Sequence, residues 1–286
     1  DISISRDILK QISEAYRKIR NTARYILGNI SDFNPETDQV KYEDMEEIDQ
    51  WALLKVNALL KKYIEHYENF DFHFANHDIN QFCVTDMSNF YLDIIKDRLY
   101  TSKKDSLARR SAQTAMYIIL NTLVKMIAPI ICYTAEEIWK YMPHTKKEQV
   151  ESVMLTILPE VNEKYENKQL EEKWNHILEL KELVSKELEL ARSNKTIGHS
   201  LNAKVTLFAN EKEYDFLKEN QELLKTVLIV SDLEVQPNAR KDETKIGVKV
   251  EVAEGKKCER CWKYSVTVGE NTNYPTLCHD CSEALK

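Results

Sequence analysis

The chain has 286 residues, of which 43% are hydrophobic, 30% charged and 9% aromatic. That balance excludes collagen-like, mucin-like and wholly disordered chains and supplies apolar material for two or three packed domains. Lys and Arg number 40 against 47 Asp and Glu, a formal net charge of -7, so any nucleic-acid contact has to come from local basic patches and not from a global field. Gly28 is the one glycine before Gly198, which leaves the first two thirds poor in hairpin material and favours long helices.

The sequence opens on Asp1, with no charged-then-apolar leader behind it. A piece of a longer protein without a signal peptide is expected. In residues 6–30, Ile8, Ile12, Ala15, Ile19, Ala23, Ile26 and Ile30 recur at helical spacing, with Arg6, Lys10, Arg17, Lys18, Arg20 and Arg24 on the other face. Those charges read first as a solvated surface. Further helices are expected over about 44–68 and 76–100, then from about Ser106 to Ile127. Pro129 stops the last of these, because it lacks an N–H and clashes with the preceding turn. The apolar run from Ala115 to Ala135 is interrupted by Asn121, Lys125 and Pro129, so it reads as a buried helix and not as a membrane span. Thr134 and Glu137 have capping-box spacing, with Tyr133 and Ile138 placed as a hydrophobic staple, which predicts a short helix opening at 135.

These five helices predict a bundle over residues 1–160. Residues 161–254 read as a long amphipathic helix over 162–195 followed by a small α+β domain. Its strands are expected at Ala203–Ala209, Thr226–Val235 and Ile246–Val252, with a helix over Glu213–Lys225. The fold class is therefore mainly α, with a small α+β region and a tail, residues 255–286, dominated by cysteines.

In that tail Cys258-x-x-Cys261 is separated by sixteen residues from Cys278-x-x-Cys281. Two such knuckles present four thiolates to one tetrahedral Zn²⁺, the zinc-ribbon spacing. Disulfides are disfavoured without an export signal, and a redox pair is disfavoured without a βαβ frame around either motif. Four thiolates close the coordination sphere, so the zinc is expected to be structural and not hydrolytic. His279 reads as a spare imidazole, and Cys83 and Cys132 as small buried hydrophobes. Around the first knuckle, Lys256, Lys257, Arg260, Trp262, Lys263 and Tyr264 could stack bases and meet phosphates. Equally, Trp262 could pack under the zinc loop with its lysines solvated.

Three segments carry a family resemblance: YRKIRNTARY over 16–25, YLDIIKDRLY over 91–100, and Ala128-Pro129-Ile130 followed by TAEEIW over 134–139. With Ile197-Gly-His-Ser-Leu201 and the cysteine tail, the whole chain resembles the C-terminal part of the bacterial-type isoleucyl-tRNA synthetases, class I enzymes of protein biosynthesis. The resemblance implies an anticodon-binding helix bundle, a junction domain and a zinc tail that together hold tRNA(Ile). It implies tRNA contacts by Arg17, Arg20, Asn21, Arg24, Lys96, Arg98, Arg109 and Arg110, and by Arg260 and Trp262 in the tail. It also implies a cytoplasmic, monomeric parent enzyme that activates isoleucine with ATP and Mg²⁺ and edits mischarged valine. Neither His-Ile-Gly-His nor Lys-Met-Ser-Lys-Ser occurs in this chain. Lys103-Lys-Asp-Ser106 and Ile197-Gly-His-Ser200 only echo such motifs, so the chain alone is expected to be non-catalytic, with no catalytic residue, no membrane and no DNA partner. Two rivals remain: a zinc-finger DNA-repair glycosylase fragment, which would need a catalytic amino-terminal proline where Asp1-Ile2 stands, and a helical protein-interaction scaffold.

Overall fold

The computed structural model describes residues 4–238 and 246–285; Asp1 and Ile2 lie outside them. The chain divides into two compact units, Asp1–Leu99 with Lys104–Glu171, and Tyr100–Lys103 with Glu172–Lys286.

The first unit is a helix bundle. Helix α1 spans Arg6–Asn29, with the Ser5 hydroxyl accepting from the Ile8 N–H at its start. Helix α2 spans Glu47–Glu68. The expected third helix is broken into α3 (Phe72–Gln81), a π-helical run Phe82–Tyr91, a short turn α4 (Leu92–Ile94) and α5 (Lys96–Thr101). Helix α6 (Leu107–Ile127) is capped by Ser106 and ends before Pro129 as expected. The core is built from side chains such as Ile26, Trp51, Leu53, Ile79, Met87, Tyr91, Met116, Ile119 and Trp139, each at most 2% exposed. Each large apolar side chain so buried contributes roughly 2 kcal/mol by the area rule.

Helix α7 runs Cys132–Tyr141 and so opens earlier than the capping-box reading predicts. Thr134 lies inside it, with its hydroxyl 3.0 Å from that of Tyr16. Tyr133 is 90% exposed and forms no staple, and Cys132 is exposed and not buried. A partner on α1, distant in sequence, takes the hydroxyl that local spacing assigned to a cap.

In the second unit the long helix α8 (Lys168–Ser193) buries Trp174, Ile177, Leu180, Val184 and Leu188. Strand β1 (Ala203–Ala209) is central to a three-stranded sheet of order β2-β1-β3. It pairs parallel with β2 (Asp232–Pro237) and antiparallel with β3 (Gly247–Val252). The parallel pair requires a crossover, supplied by α9 (Glu211–Glu219) and α10 (Gln221–Leu228). Thr226–Leu228, expected to open the strand over Thr226–Val235, complete α10 instead. Leu224, Val227 and Leu228 are buried there at helical spacing, and Ile229 ends the helix at φ +55°. The tail carries the hairpin β4 (Lys256–Lys257) and β5 (Tyr264–Ser265), and the short helix α11 (His279–Glu283).

Candidate metal centre and nucleic-acid interface

The two Cys-x-x-Cys motifs converge. Cys258 follows β4, Cys261 precedes β5, Cys278 caps α11 and Cys281 lies within it. All four Sγ atoms lie within 4.8 Å of one another. Cys261 Sγ and Cys278 Sγ are 3.8 Å apart, and a tetrahedral ion with Zn–S bonds of about 2.3 Å requires sulfur–sulfur edges of about 3.8 Å. The donor set therefore fits Zn²⁺. The Cys278 N–H donates to Cys258 Sγ at 3.3 Å. Burial pushes the Cys258 thiol up, but backbone N–H groups of Cys261, Cys278 and Arg260 outweigh it and bring the thiol down to about 7. Burial raises Cys261 to about 12 and also raises Cys281. A metal cation is the partner that stabilises several such thiolates together.

His279 is exposed and stands outside the sulfur cluster. Arg260 is half-buried and donates to the Cys281 carbonyl at 3.0 Å, strapping the first knuckle to the second. Trp262 is 59% exposed and adopts φ +67°. Its N–H donates to the Cys258 carbonyl, and the Cys258 N–H donates to the Lys263 carbonyl. Trp262 is thus turned outward by the knuckle and not packed beneath it. The Lys257 ammonium sits 4.9 Å from the centre of its ring. Lys256 and Lys257 are exposed and Lys263 is half-buried.

On α1, Arg17, Arg20, Asn21 and Arg24 are all exposed. They share one face, because their spacing of three, four and seven repeats that of the buried Ile19, Thr22, Ala23 and Ile26. The two sets differ by two residues, about 200° around a helix of 3.6 residues per turn, so the cationic face is opposite the core. Arg17 pairs with Glu14 at 3.7 Å, but both side chains are more than half exposed and the pair is weak. Lys96 is exposed and pairs with Asp93 at 2.7 Å.

The other three arginines are committed inside the bundle. Arg98 donates to the fully buried Asp49 at 2.6 Å, and Asp49 also accepts from the hydroxyls of Tyr91 and Ser111. Burial pulls the Arg98 guanidinium down, but the Asp49 charge and hydrogen bond, together with the charges of Tyr91 and Glu46, more than offset it and hold the guanidinium above its ordinary value. Burial, then the Asp49 charge, raises Tyr91. Arg109 is bidentate to Asp32 at 2.8 and 3.0 Å and also donates to the carbonyls of Leu99 and Lys104. Hydrogen bonding from Arg109 lowers the Asp32 carboxyl to about 2. Arg110 pairs with Asp38 at 3.2 Å and donates to Gln113 and the Asp32 carbonyl. Sequence reasoning missed Asp32, Asp38 and Asp49 as counter-ions. One available sign was Asp49 lying between Ile48 and Trp51 on the apolar stripe of α2.

Residues 49–207, more than half of the chain, match the family model described as the anticodon-binding domain of tRNA ligase. The chain belongs to this family of tRNA-ligase anticodon-binding domains. Residues 255–284 match a second model, a zinc finger found in FPG and IleRS. Isoleucine--tRNA ligases match over 100% of the chain: 52% identity in Caldicellulosiruptor saccharolyticus, 45% in Caldanaerobacter subterraneus subsp. tengcongensis and 46% in Syntrophotalea carbinolica. The chain spans 31% of the length of each of these relatives. The family therefore extends through the bundle into the sheet, ahead of a tail whose cysteines stand in metal-binding geometry. Among the described residues no helix is long and apolar enough to cross a membrane.

Proposed function

We propose that this chain is the tRNA-recognition part of an isoleucine--tRNA ligase, binding the anticodon stem-loop of tRNA(Ile). The observation that carries this reading is 52% identity, over the whole of this chain and 31% of the relative's length, to an isoleucine--tRNA ligase. The outward Trp262 beside the cysteine cluster supports it, since an aromatic face flanked by a cation accepts an unstacked base. Residues 1–160 act as the anticodon-binding bundle, 161–254 as the junction and 255–286 as the zinc tail. A single structural Zn²⁺ on Cys258, Cys261, Cys278 and Cys281 folds the tail, whose own core is too small to do so. ATP and Mg²⁺ belong to the activation of isoleucine by the larger enzyme, a cytoplasmic monomer, in which this part positions the acceptor end.

Arg17, Arg20, Asn21, Arg24, Lys96, Lys256, Lys257 and Trp262 are the proposed RNA contacts, with Lys263 beside them. Arg98, Arg109, Arg110 and Arg260, each held by an internal acceptor, shape the surfaces that carry those contacts. The glycosylase reading loses support because the family match and the relatives extend through the bundle and sheet ahead of the finger. The test is the affinity of the zinc-loaded chain for tRNA(Ile) with its GAU anticodon against the same tRNA with a changed anticodon, at one fixed moderate salt. A preference of about tenfold, ~1.4 kcal/mol, is expected. Equal affinity for the two would overturn anticodon reading.

A further inference from the structure

Ser231 lies between α10 and β2 and is 6% exposed. Its main-chain N–H donates to the Ala203 carbonyl at the start of β1. Its hydroxyl donates to the Leu201 carbonyl at 2.5 Å and accepts from the Tyr264 N–H at 2.7 Å. A serine hydroxyl has one proton and two lone pairs, so the proton is used inward on the junction domain and a lone pair is used outward on the tail. Tyr264 belongs to β5, where it is the partner of Lys257 across the hairpin. The Lys257 ammonium in turn sits over the Trp262 ring. The path from the sheet to the exposed aromatic is therefore short and entirely hydrogen-bonded or in contact.

That path matters because Trp262 is held in a left-handed backbone conformation that is strained for a non-glycine residue. Such a residue keeps its conformation only where its surroundings over-determine it. A surface aromatic that must also be ordered on binding loses affinity to that ordering, and one already fixed does not. We propose that Ser231 is a positioning residue: its hydroxyl fixes the Trp262–Lys257 surface against the junction sheet and so sets how strongly the tail grips an anticodon loop. The inference rests on the RNA-recognition reading above.

The test uses the full zinc-loaded chain and two synthetic anticodon stem-loop RNAs, one with GAU and one with a changed anticodon. Ser231→Ala is expected to bind the GAU stem-loop about tenfold more weakly with zinc content unchanged, and Ser231→Thr, which keeps the hydroxyl, to restore most of the loss. On a Trp262→Ala background, Ser231→Ala is expected to add little further loss, because both substitutions remove one platform. A general structural weakening would instead add to the Trp262 effect. Undiminished loss in the double variant, wild-type affinity in Ser231→Ala, or loss of zinc from it would overturn the positioning role. Failure of the wild-type chain to discriminate the two RNAs would overturn the functional reading instead.

Discussion

Gly255 enters β4 with φ +91°, and a Cβ there would meet the Ser265 carbonyl carbon and oxygen at 2.3 Å. Backbone cannot yield as a flexible side chain can, so Gly255→Ala must separate β4 from β5. Strain of this kind costs on the order of 1–3 kcal/mol. Because metal binding and tail folding are one equilibrium, the variant should surrender zinc to a chromophoric chelator at least about tenfold more readily than wild type; equal retention would show that the hairpin does not support the metal centre. Asp32 makes a second residue-scale prediction. Its carboxyl lies at about 2 in the folded chain against 3.8 ordinarily, chiefly through hydrogen bonding from Arg109. A depressed carboxyl stabilises the fold above its unfolded value, and that stabilisation disappears as pH falls through the folded value. The contribution is thus complete above about pH 5 and lost between about pH 4 and pH 2. Solvent reaches the pair, so its worth is on the order of 1 kcal/mol. Urea titrations at stepped pH should show this loss in wild type and lack it in Asp32→Asn.

At the scale of elements, the π-helical run Phe82–Tyr91 is the main departure from a regular helix. Thr22 on α1, 1% exposed, faces it: the Thr22 hydroxyl lies 3.1 Å from the Lys18 carbonyl, 3.4 Å from the Cys83 carbonyl and 3.2 Å from the Ser88 hydroxyl. Thr22→Val keeps the shape and removes this polar contact, leaving buried groups of the π run short of a partner. Its expected cost is about 1–3 kcal/mol in urea unfolding, and no change would mean that the run holds itself. This contact also marks the limit of what the sequence discloses. The stripe of α1, the Ser106 start and Pro129 stop of α6, and the strands Ala203–Ala209 and Gly247–Val252 follow from periodicity and local chemistry, which act over a few residues. The π run, the early start of α7 and the helical Thr226–Leu228 are decided by partners remote in the chain. The same division holds for the site. The cysteine spacing disclosed the metal ligands because four thiolates in two knuckles have one efficient geometry, whereas the acceptors of Arg98, Arg109 and Arg110 come from α2 and from the loop after α1.

For the whole molecule, a net charge of -7 gives RNA no general attraction, so affinity has to arise where cations are both exposed and uncommitted. The ion pairs divide the basic residues in this way. Arg20 and Arg24 stand on the solvent face of α1 and, among the described residues, neither is paired with a carboxylate, whereas Arg109 spends its guanidinium on Asp32 and two carbonyls. Each phosphate neutralised releases counterions and steepens the fall of log affinity with log salt by about 0.7–0.9. The double variant Arg20→Gln with Arg24→Gln should therefore flatten that slope by about 1–2 for tRNA, while urea unfolding stays as in wild type. Arg109→Gln should do the reverse: it strands Asp32, lowers stability by about 1–3 kcal/mol and leaves the slope alone wherever the chain remains folded. Salt slopes and unfolding free energies measured on the same variants separate the two roles. A flattened slope in Arg109→Gln would mean that RNA draws this arginine away from Asp32, and an unchanged slope in the α1 double variant would remove that helix from the RNA-binding surface.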